Sequence, residues 1–363
     1  MAEQKLRVGI IGANANRGWG SSAHIPALAA LPEFELTAVC TAHADTAEAA
    51  KAKFGAKLAF HDYQAMVQHP DIDVVVVAVR VPFHRELTIP ALQAGKHVYT
   101  EWPLGATLAE AQEMADLARA KGVKTMVGLQ GRVTPGYLRL KELLAEGYVG
   151  DVLAAHLTHF TAAGVERTSD RLWTKDRPAG VGMFTISFGH AIDAFTYCAG
   201  DFAEVSGVVS TLLPEWYVTD TKETVSVTTP DNVMITGRLK GGAQVTAHVA
   251  TVPYHGPGLA GQIFGREGTI AYSGSHTSDI KLMGMRKGDA GLTELAVPDR
   301  LRWVPENTPA GQPYSVAQNW RRFAQAIHGN TAADPDFDDA LRLHQLLEAI
   351  QRSSDSGQRV AVG

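Results

Sequence analysis

The chain is predicted to fold as a doubly wound α/β domain with a parallel sheet, followed by an α+β domain built on a large, mostly antiparallel open sheet. Three observations predict this. Strand and helix signals alternate with short loops up to about residue 130, as they do in βαβ units. Within that stretch Asp73–Val79, DVVVVAV, is a continuous apolar run, the pattern of a strand buried on both faces in the middle of a parallel sheet. After Gly150 the pattern changes to strands with alternation or β-branched enrichment, joined by turns such as Lys240-Gly241-Gly242.

In chain order, β-favouring residues run from Val8 into Gly12, a polar turn follows, and an Ala/Leu-rich helix continues through Ala30. Phe34–Val39 reads as the second strand and Asp45–Phe54 as a helix closed by Gly55. A helix from about His84 to Ala94 closes at Gly95, and the strand HVYTE follows. Thr107–Ala120 is a helix ending at Gly122, and Lys124–Gly128 is the next strand. In the second half, strands are expected at Asp151–Thr161, Phe202–Thr211, Thr224–Thr229, Asn232–Leu239, Ala243–Ala250, Gly261–Gly265 and Thr269–Tyr272. One helix, Met183–Cys198, interrupts them; Ser315–His328 and Asp338–Arg352 form helices at the end, and Ser275–Ala296 is the least structured stretch. We therefore divide the chain into a domain of residues 1–130 and a domain of residues 131–363 whose last helices return to the first.

Composition narrows the function. A length of 363 residues suits two domains with substantial cores. A formal net charge of −5 without a long basic run argues against a nucleic-acid surface. No apolar run approaches a membrane span, and the start MAEQKLRVGIIG enters a strand at once, so no membrane contact and a cytoplasmic location are expected. Cys40 and Cys198 have no partner spacing and read as buried free thiols, consistent with a reducing compartment. The acids and fourteen histidines show no metal-ligand spacing beyond His190-x-x-Asp193, and no G-x-S-x-G elbow appears.

The candidate site begins at VGIIGANANRGWGSSAHIP, Val8–Pro26. A strand, a turn and a helix N-terminus in that order aim unpaired N–H groups at one spot, which suits a dinucleotide pyrophosphate. The turn departs from G-x-G-x-x-G: Asn14 stands where the second glycine belongs, and Asn16, Arg17, Gly18 and Trp19 make it longer and bulkier. At the end of the second strand, where Asp or Glu ordinarily holds a ribose 2′-OH, the chain has Thr41, with His43 nearby. NADP is therefore allowed and somewhat favoured over NAD, with Arg17 or His43 as phosphate partners, unless both are merely exposed polar side chains. Val79 and Arg80, Glu101 and Trp102, and Gln130 follow later strands at the sheet's carboxyl edge and join the expected cofactor site.

The segments AVRVPFHRELTIPALQ, GKHVYTEWPLG, GLQGRVTPGYLRLKELLAEGYVGDV, the run Gly180–Asp193 and the GREGT turn at Gly265–Thr269 carry a resemblance over nearly the whole chain. They resemble the glucose–fructose oxidoreductase and inositol dehydrogenase (Gfo/Idh/MocA) family. That resemblance implies a Rossmann domain, an α+β domain, assembly through the open sheet, and hydride transfer between a nicotinamide and a carbohydrate or polyol. The chain differs from the family's pattern at three places, four residues in all: Trp102 replaces the lysine of Glu-Lys-Pro, Ile186 stands where an aspartate is common, and Arg80-Val81 replaces Pro-Asn. The same departures are similar to one branch, the fungal repressor of the galactose regulon, which also binds NAD(P). That branch shares the long turn, the Glu101-Trp102 pair, LQGR at Leu129–Arg132 and TISFGHAID at Thr185–Asp193.

Only His190 remains of the Lys/Asp/His set that the resemblance implies, and it reads as a general base or as a packed core histidine. Trp102, Arg132, Asp193 and Tyr254 are the expected substrate contacts. Three of them have a plainer reading too: Trp102 as packing, Asp193 as an orienting group, Tyr254 as surface loop. His84 reads as structural. The sheet's apolar outer face calls for a second copy, a dimer or tetramer. Three functions fit: an NAD(P)-dependent oxidoreductase acting on a sugar-like molecule, a non-catalytic NAD(P) and sugar sensor with a protein partner, and a glycosidase that uses NAD transiently.

Overall fold

In the computed structural model, which describes residues 4–162 and 165–363, the chain divides into two compact units. The first holds the residues up to Gln130 together with Arg302–Arg342, and the second holds Gly131–Leu301 with Leu343–Gly363. Ala163, Gly164 and the first three residues, part of the stretch on which the expectation at the chain start rests, lie outside the described residues.

The first unit is built on strands β1 (Leu6–Ile11), β2 (Phe34–Cys40), β3 (Leu58–Phe60), β4 (Val74–Val77), β5 (His97–Thr100) and β6 (Thr125–Val127). All pair in parallel, in the order β3-β2-β1-β4-β5-β6. That is the doubly wound order in which the connections reverse direction between β1 and β4, opening a crevice at the carboxyl ends of those two strands. Val74 to Val77 of β4 are fully buried, as the uninterrupted valine run predicts. Helices α1 (Ile25–Ala30), α2 (Ala44–Phe54), α3 (Tyr63–Gln68), α4 (His84–Gln93) and α5 (Leu108–Lys121) make the crossovers. Gly55 and Gly122 end α2 and α5 in the left-handed conformation that a side chain disfavours. The sequence reading passed over β3 and α3, which are short; the start of α3 is marked by Asp62, whose carboxylate caps Gln64 N.

The second unit opens with α6 (Pro135–Ala145), whose proline sits in the first turn where its missing N–H costs nothing. Next come β7 (Val152–Ala162), β8 (Glu166–Arg167), α7 (Gly189–Ala199), β9 (Phe202–Ser210), β10 (Glu215–Val218) and β11 (Glu223–Ser226). The sheet continues with β12 (Asn232–Leu239), β13 (Gln244–Val252), β14 (Gly258–Gly265), β15 (Gly268–His276), β16 (Asp279–Arg286), β17 (Thr293–Glu294) and β18 (Val360–Ala361). Nine of these form one sheet, β17-β16-β15-β14-β7-β13-β12-β9-β18, antiparallel throughout except where β7 meets β13. The expectation that Ser275–Ala296 is the least structured stretch is overturned by β16: Ile280, Leu282 and Gly284 alternate inward, but Lys281, Met283 and Met285 on the other positions hide the strand signal. The helix predicted over Met183–Cys198 is instead a wide π-helical turn, Met183–Phe188, running into α7.

Two long helices complete the chain, α8 (Gln312–His328) and α9 (Phe337–Ser356). In the first unit α8 drives Trp320 and Phe323 into the core beside Phe34 and Tyr99, with ring centroids 4.8 Å apart for Phe34 and Trp320 and 5.0 Å for Tyr99 and Trp320. No described helix is long and apolar enough to cross a membrane.

Candidate functional site

At the switch point of the first unit, Gly12 has φ of 99° and its amide donates to Cys40 O. A Cβ there would lie 2.3 Å from Ala78 O, so the loop after β1 passes against the loop after β4 at a distance that glycine alone permits. Asn14 Oδ1 accepts from Asn16 N at 2.9 Å, which closes the first bend of the long turn. Asn16, Arg17 and Gly18 are exposed at its tip, while Trp19 is half-buried against the core. The helix then opens at Gly20 with no side-chain cap and no acid in its first turn. Ser22 N is already given to Gly18 O, and with no acid in this turn no negative charge stands against a dinucleotide pyrophosphate there.

Thr41 is nearly buried, and its hydroxyl turns inward to His43 O at 3.0 Å and Thr46 Oγ1 at 2.6 Å. The strand end thus presents neither a carboxylate nor a free hydroxyl, while the His43 side chain is exposed beside it. Val79 and Arg80 follow β4, with Arg80 exposed. His84, fully buried at the start of α4, ties two of these loops together: Nδ1 lies 2.8 Å from Pro103 O and Nε2 3.1 Å from Val79 O. Burial lowers its pKa, which the carbonyls partly offset.

After β5, Glu101 takes hydrogen bonds on both oxygens, with His24 Nε2 2.7 Å from Oε1 and Gln130 Nε2 3.1 Å from Oε2. A Cβ on Gly128 would fall 2.1 Å from Glu101 Oε2, so the glycine makes room for the carboxylate. Trp102 next to it is 5% exposed. The sequence reading missed His24, which gave no signal beyond an Ala-Ser helix start; its partners lie 77 and 296 positions away.

In the second unit Arg132 and Asp193 are buried and held as a forked ion pair, Nε to Oδ2 at 2.9 Å and a terminal nitrogen to Oδ1 at 2.6 Å. The guanidinium also stands 5.3 Å from the centre of the Tyr197 ring. The pair joins the turn Gln130–Val133, which carries Arg132, to α7, which carries Asp193. His190, half-buried, is in the first turn of the same helix, three residues before Asp193. Upstream, Gly182 has φ of 124° and a Cβ there would meet Thr229 Cγ2 at 2.1 Å, which explains the glycine of the G-V-G-M run. Tyr254 is 92% exposed in the loop after β13.

His159 on β7 was not singled out from sequence, because a lone histidine in a strand carries no motif. Its ring is buried with no partner on either nitrogen, edge-on to His276 at 5.7 Å. Burial, with His276 adding, pushes its pKa down to about 4 from 6.5. The native chain therefore binds fewer protons than the unfolded chain between those values, and the stability it holds above pH 6.5 is lost as pH falls towards 4. We expect the loss traceable to this residue to reach about 3 kcal/mol. Urea unfolding at a series of pH values checks this: His159→Leu should flatten the acid limb, and an unchanged limb would place the proton uptake elsewhere.

Together the two units define a nucleotide-binding protein of the Rossmann type carrying an open-sheet α+β unit. Comparison with known proteins places it more narrowly. A family profile described as "Oxidoreductase family, NAD-binding Rossmann fold" (GFO_IDH_MocA) matches residues 6–129, and one described as "Gal80p, C-terminal domain" matches residues 135–274. The dehydrogenase aclE of Aspergillus oryzae is 30% identical, covering 98% of this chain and 98% of its own. The galactose/lactose metabolism regulatory protein GAL80 of Saccharomyces cerevisiae is 27% identical over 98% of this chain and 94% of its own. Among solved structures, levoglucosan dehydrogenase in complex with NADH and L-sorbose aligns with a TM-score of 0.88 at 26% identity, covering 99% of this chain and 100% of that one. The chain belongs to the Gfo/Idh/MocA family of NAD-binding oxidoreductases, as the segment GKHVYTEWPLG, the run Gly180–Asp193 and the GREGT turn predict.

Proposed function

We propose that the protein is an NAD(P)-dependent oxidoreductase that passes hydride between the nicotinamide and a carbon of a carbohydrate or polyol. The observation that carries the reading is the Gly12 switch-point loop, with its uncapped helix start, in a chain that aligns end to end with a sugar dehydrogenase. The first unit supplies the cofactor site from Gly12, Asn14, Asn16, Arg17, Gly18, Trp19, Thr41, His43, Val79, Arg80, Glu101, Trp102 and Gln130. When bound, the dinucleotide supplies the hydride carrier. The second unit supplies His190 as the group that accepts the hydroxyl proton as hydride leaves, with Asp193 and Arg132 fixing its helix, and Tyr254 on an exposed loop.

A second reading is favoured by a specific observation. Trp102 and Ile186 occupy the places of the lysine and aspartate, and the GAL80 proteins carrying the matching C-terminal domain are regulators. In that reading the chain binds nucleotide and sugar, turns neither over, and answers to a protein partner; the transient use of NAD by a glycosidase is a third. Mass analysis of any nucleotide that purifies with the protein, and of its redox state, separates them. A tightly held nucleotide that never exchanges hydride with solution favours the sensor or the glycosidase, whereas an exchangeable one favours the dehydrogenase.

On cofactor choice, no carboxylate at Thr41 repels a 2′-phosphate, and Arg17 and His43 stand exposed. We expect NADP(H) to bind at least as tightly as NAD(H) in a fluorescence titration. A clear preference for NAD(H) would mean that another residue holds the ribose hydroxyls.

On assembly, the nine-stranded sheet turns Val208 and Met234 outward directly opposite one another, at 52% and 45% exposure, with Met285 of β16 exposed on the same face. One chain leaves this apolar strip in water, and a second copy covers it in our reading. Light scattering at micromolar concentration should show a dimer or larger; a monomer would refute the assembly.

A further inference from the structure

The group that the sequence did not show, His24, has a geometry that fixes its proton. The Trp320 indole N–H only donates, and it lies 3.1 Å from His24 Nδ1, so Nδ1 carries the lone pair. The ring proton is then on Nε2, which donates to Glu101 Oε1 at 2.7 Å, while Gln130 Nε2 donates to Oε2 at 3.1 Å. His24 is wholly buried, and its ring is walled edge-on by Tyr99 at 4.9 Å and Trp320 at 5.9 Å, so the imidazole has nowhere to turn. The absent side chain at Gly128 leaves the carboxylate its place. A donor chain thus runs Trp320 to His24 to Glu101, and the acceptor at its end, two oxygens meeting two N–H groups, has the form of a carboxylate.

We propose that His24 is a positioning residue: it holds Glu101 as a fixed negative charge at the carboxyl end of β5, and that charge shifts dinucleotide binding towards the oxidised form. The carboxyl edge of an open parallel sheet is where such ligands lie. The oxidised nicotinamide ring carries one positive charge and the reduced ring none. A fixed carboxylate in a site shielded from water separates the two by Coulomb attraction, while contacts common to both forms cancel in the ratio. A structural ion pair would cost stability when broken and leave that ratio alone. The proposal rests on the reading that the first unit holds a nicotinamide dinucleotide.

The test is the ratio of dissociation constants for NAD+ and NADH, measured by calorimetry on the full chain and three variants, with thermal midpoints to confirm folding. Glu101→Gln is expected to lower the preference for the oxidised form roughly tenfold, equivalent to about 1.4 kcal/mol. His24→Phe, which keeps a buried ring and removes the donor, should move the ratio in the same direction by about threefold or more. His24→Gln, whose amide N–H can reach the carboxylate, should stay near wild type. An unchanged ratio in Glu101→Gln overturns the proposal. So does a wild-type ratio in His24→Phe, or, with the fold intact, a shift in His24→Gln as large as that of Glu101→Gln. Wild-type protein that binds neither nucleotide refutes the dinucleotide reading itself, which is a separate failure.

Discussion

Asp193→Ala is expected to destabilise the protein by about 3–5 kcal/mol, the cost of taking one partner from a buried ion pair. Arg132 and Asp193 are 8% and 2% exposed and joined by a fork of short hydrogen bonds, so removing the carboxylate strips a buried guanidinium of a charge partner that water cannot replace. The pair itself need not add net stability over an apolar one. Asp193→Leu combined with Arg132→Met should therefore recover most of the loss, and a double-mutant cycle from urea midpoints would show strong coupling. Because the pair pins the turn Gln130–Val133 to the helix bearing His190, Asp193→Asn should keep the fold better while disturbing the placement of His190. Additive single and double effects would show that the pair is not an energetic unit.

His190→Ala should lower turnover about 10²–10⁴-fold, the usual cost of losing a general base, with nucleotide affinity changed by no more than a few fold. The lysine and aspartate of the family's set are replaced by Trp102 and Ile186, and neither an indole nor an alkyl chain accepts a proton. His190→Asn should fall by a similar factor, since an amide can hold a hydroxyl yet does not take its proton. Near wild-type turnover in either variant, on a sugar that the parent oxidises, would make His190 a packing residue and send the proton through another group or through water.

Much of the frame was legible because local pattern and tertiary placement agree. Val74–Val77 could only be a central parallel strand, and Gly12 stood at the one position where a glycine is forced by the backbone of Ala78. The run Gly180–Asp193 pointed to Asp193 and His190 through its motif, although the motif could not show that Arg132, 61 positions earlier, holds that aspartate. Ion pairs and imidazole contacts of that separation leave no periodicity. His24 looked like one polar residue in a helix start, and its meaning came from Glu101 and Trp320. His159 faces inward from β7 among apolar neighbours on β13 and β14, Val249 and Leu259, and only the sheet register places it there. Strand β16 escaped because Met and Lys replaced the β-branched residues on its exposed positions.

The central claim, a hydride-transferring enzyme acting on a sugar-like substrate, is tested most directly by following reduced nicotinamide in absorbance while the protein is offered NAD+ or NADP+ with a broad panel of sugars, sugar acids and inositols. The account predicts sustained reduction with at least one member of the panel, abolished to the extent given above in His190→Ala. Saturable nucleotide binding with no reduction on any member, in either direction of the reaction, would contradict it and leave the sensor as the function of the chain.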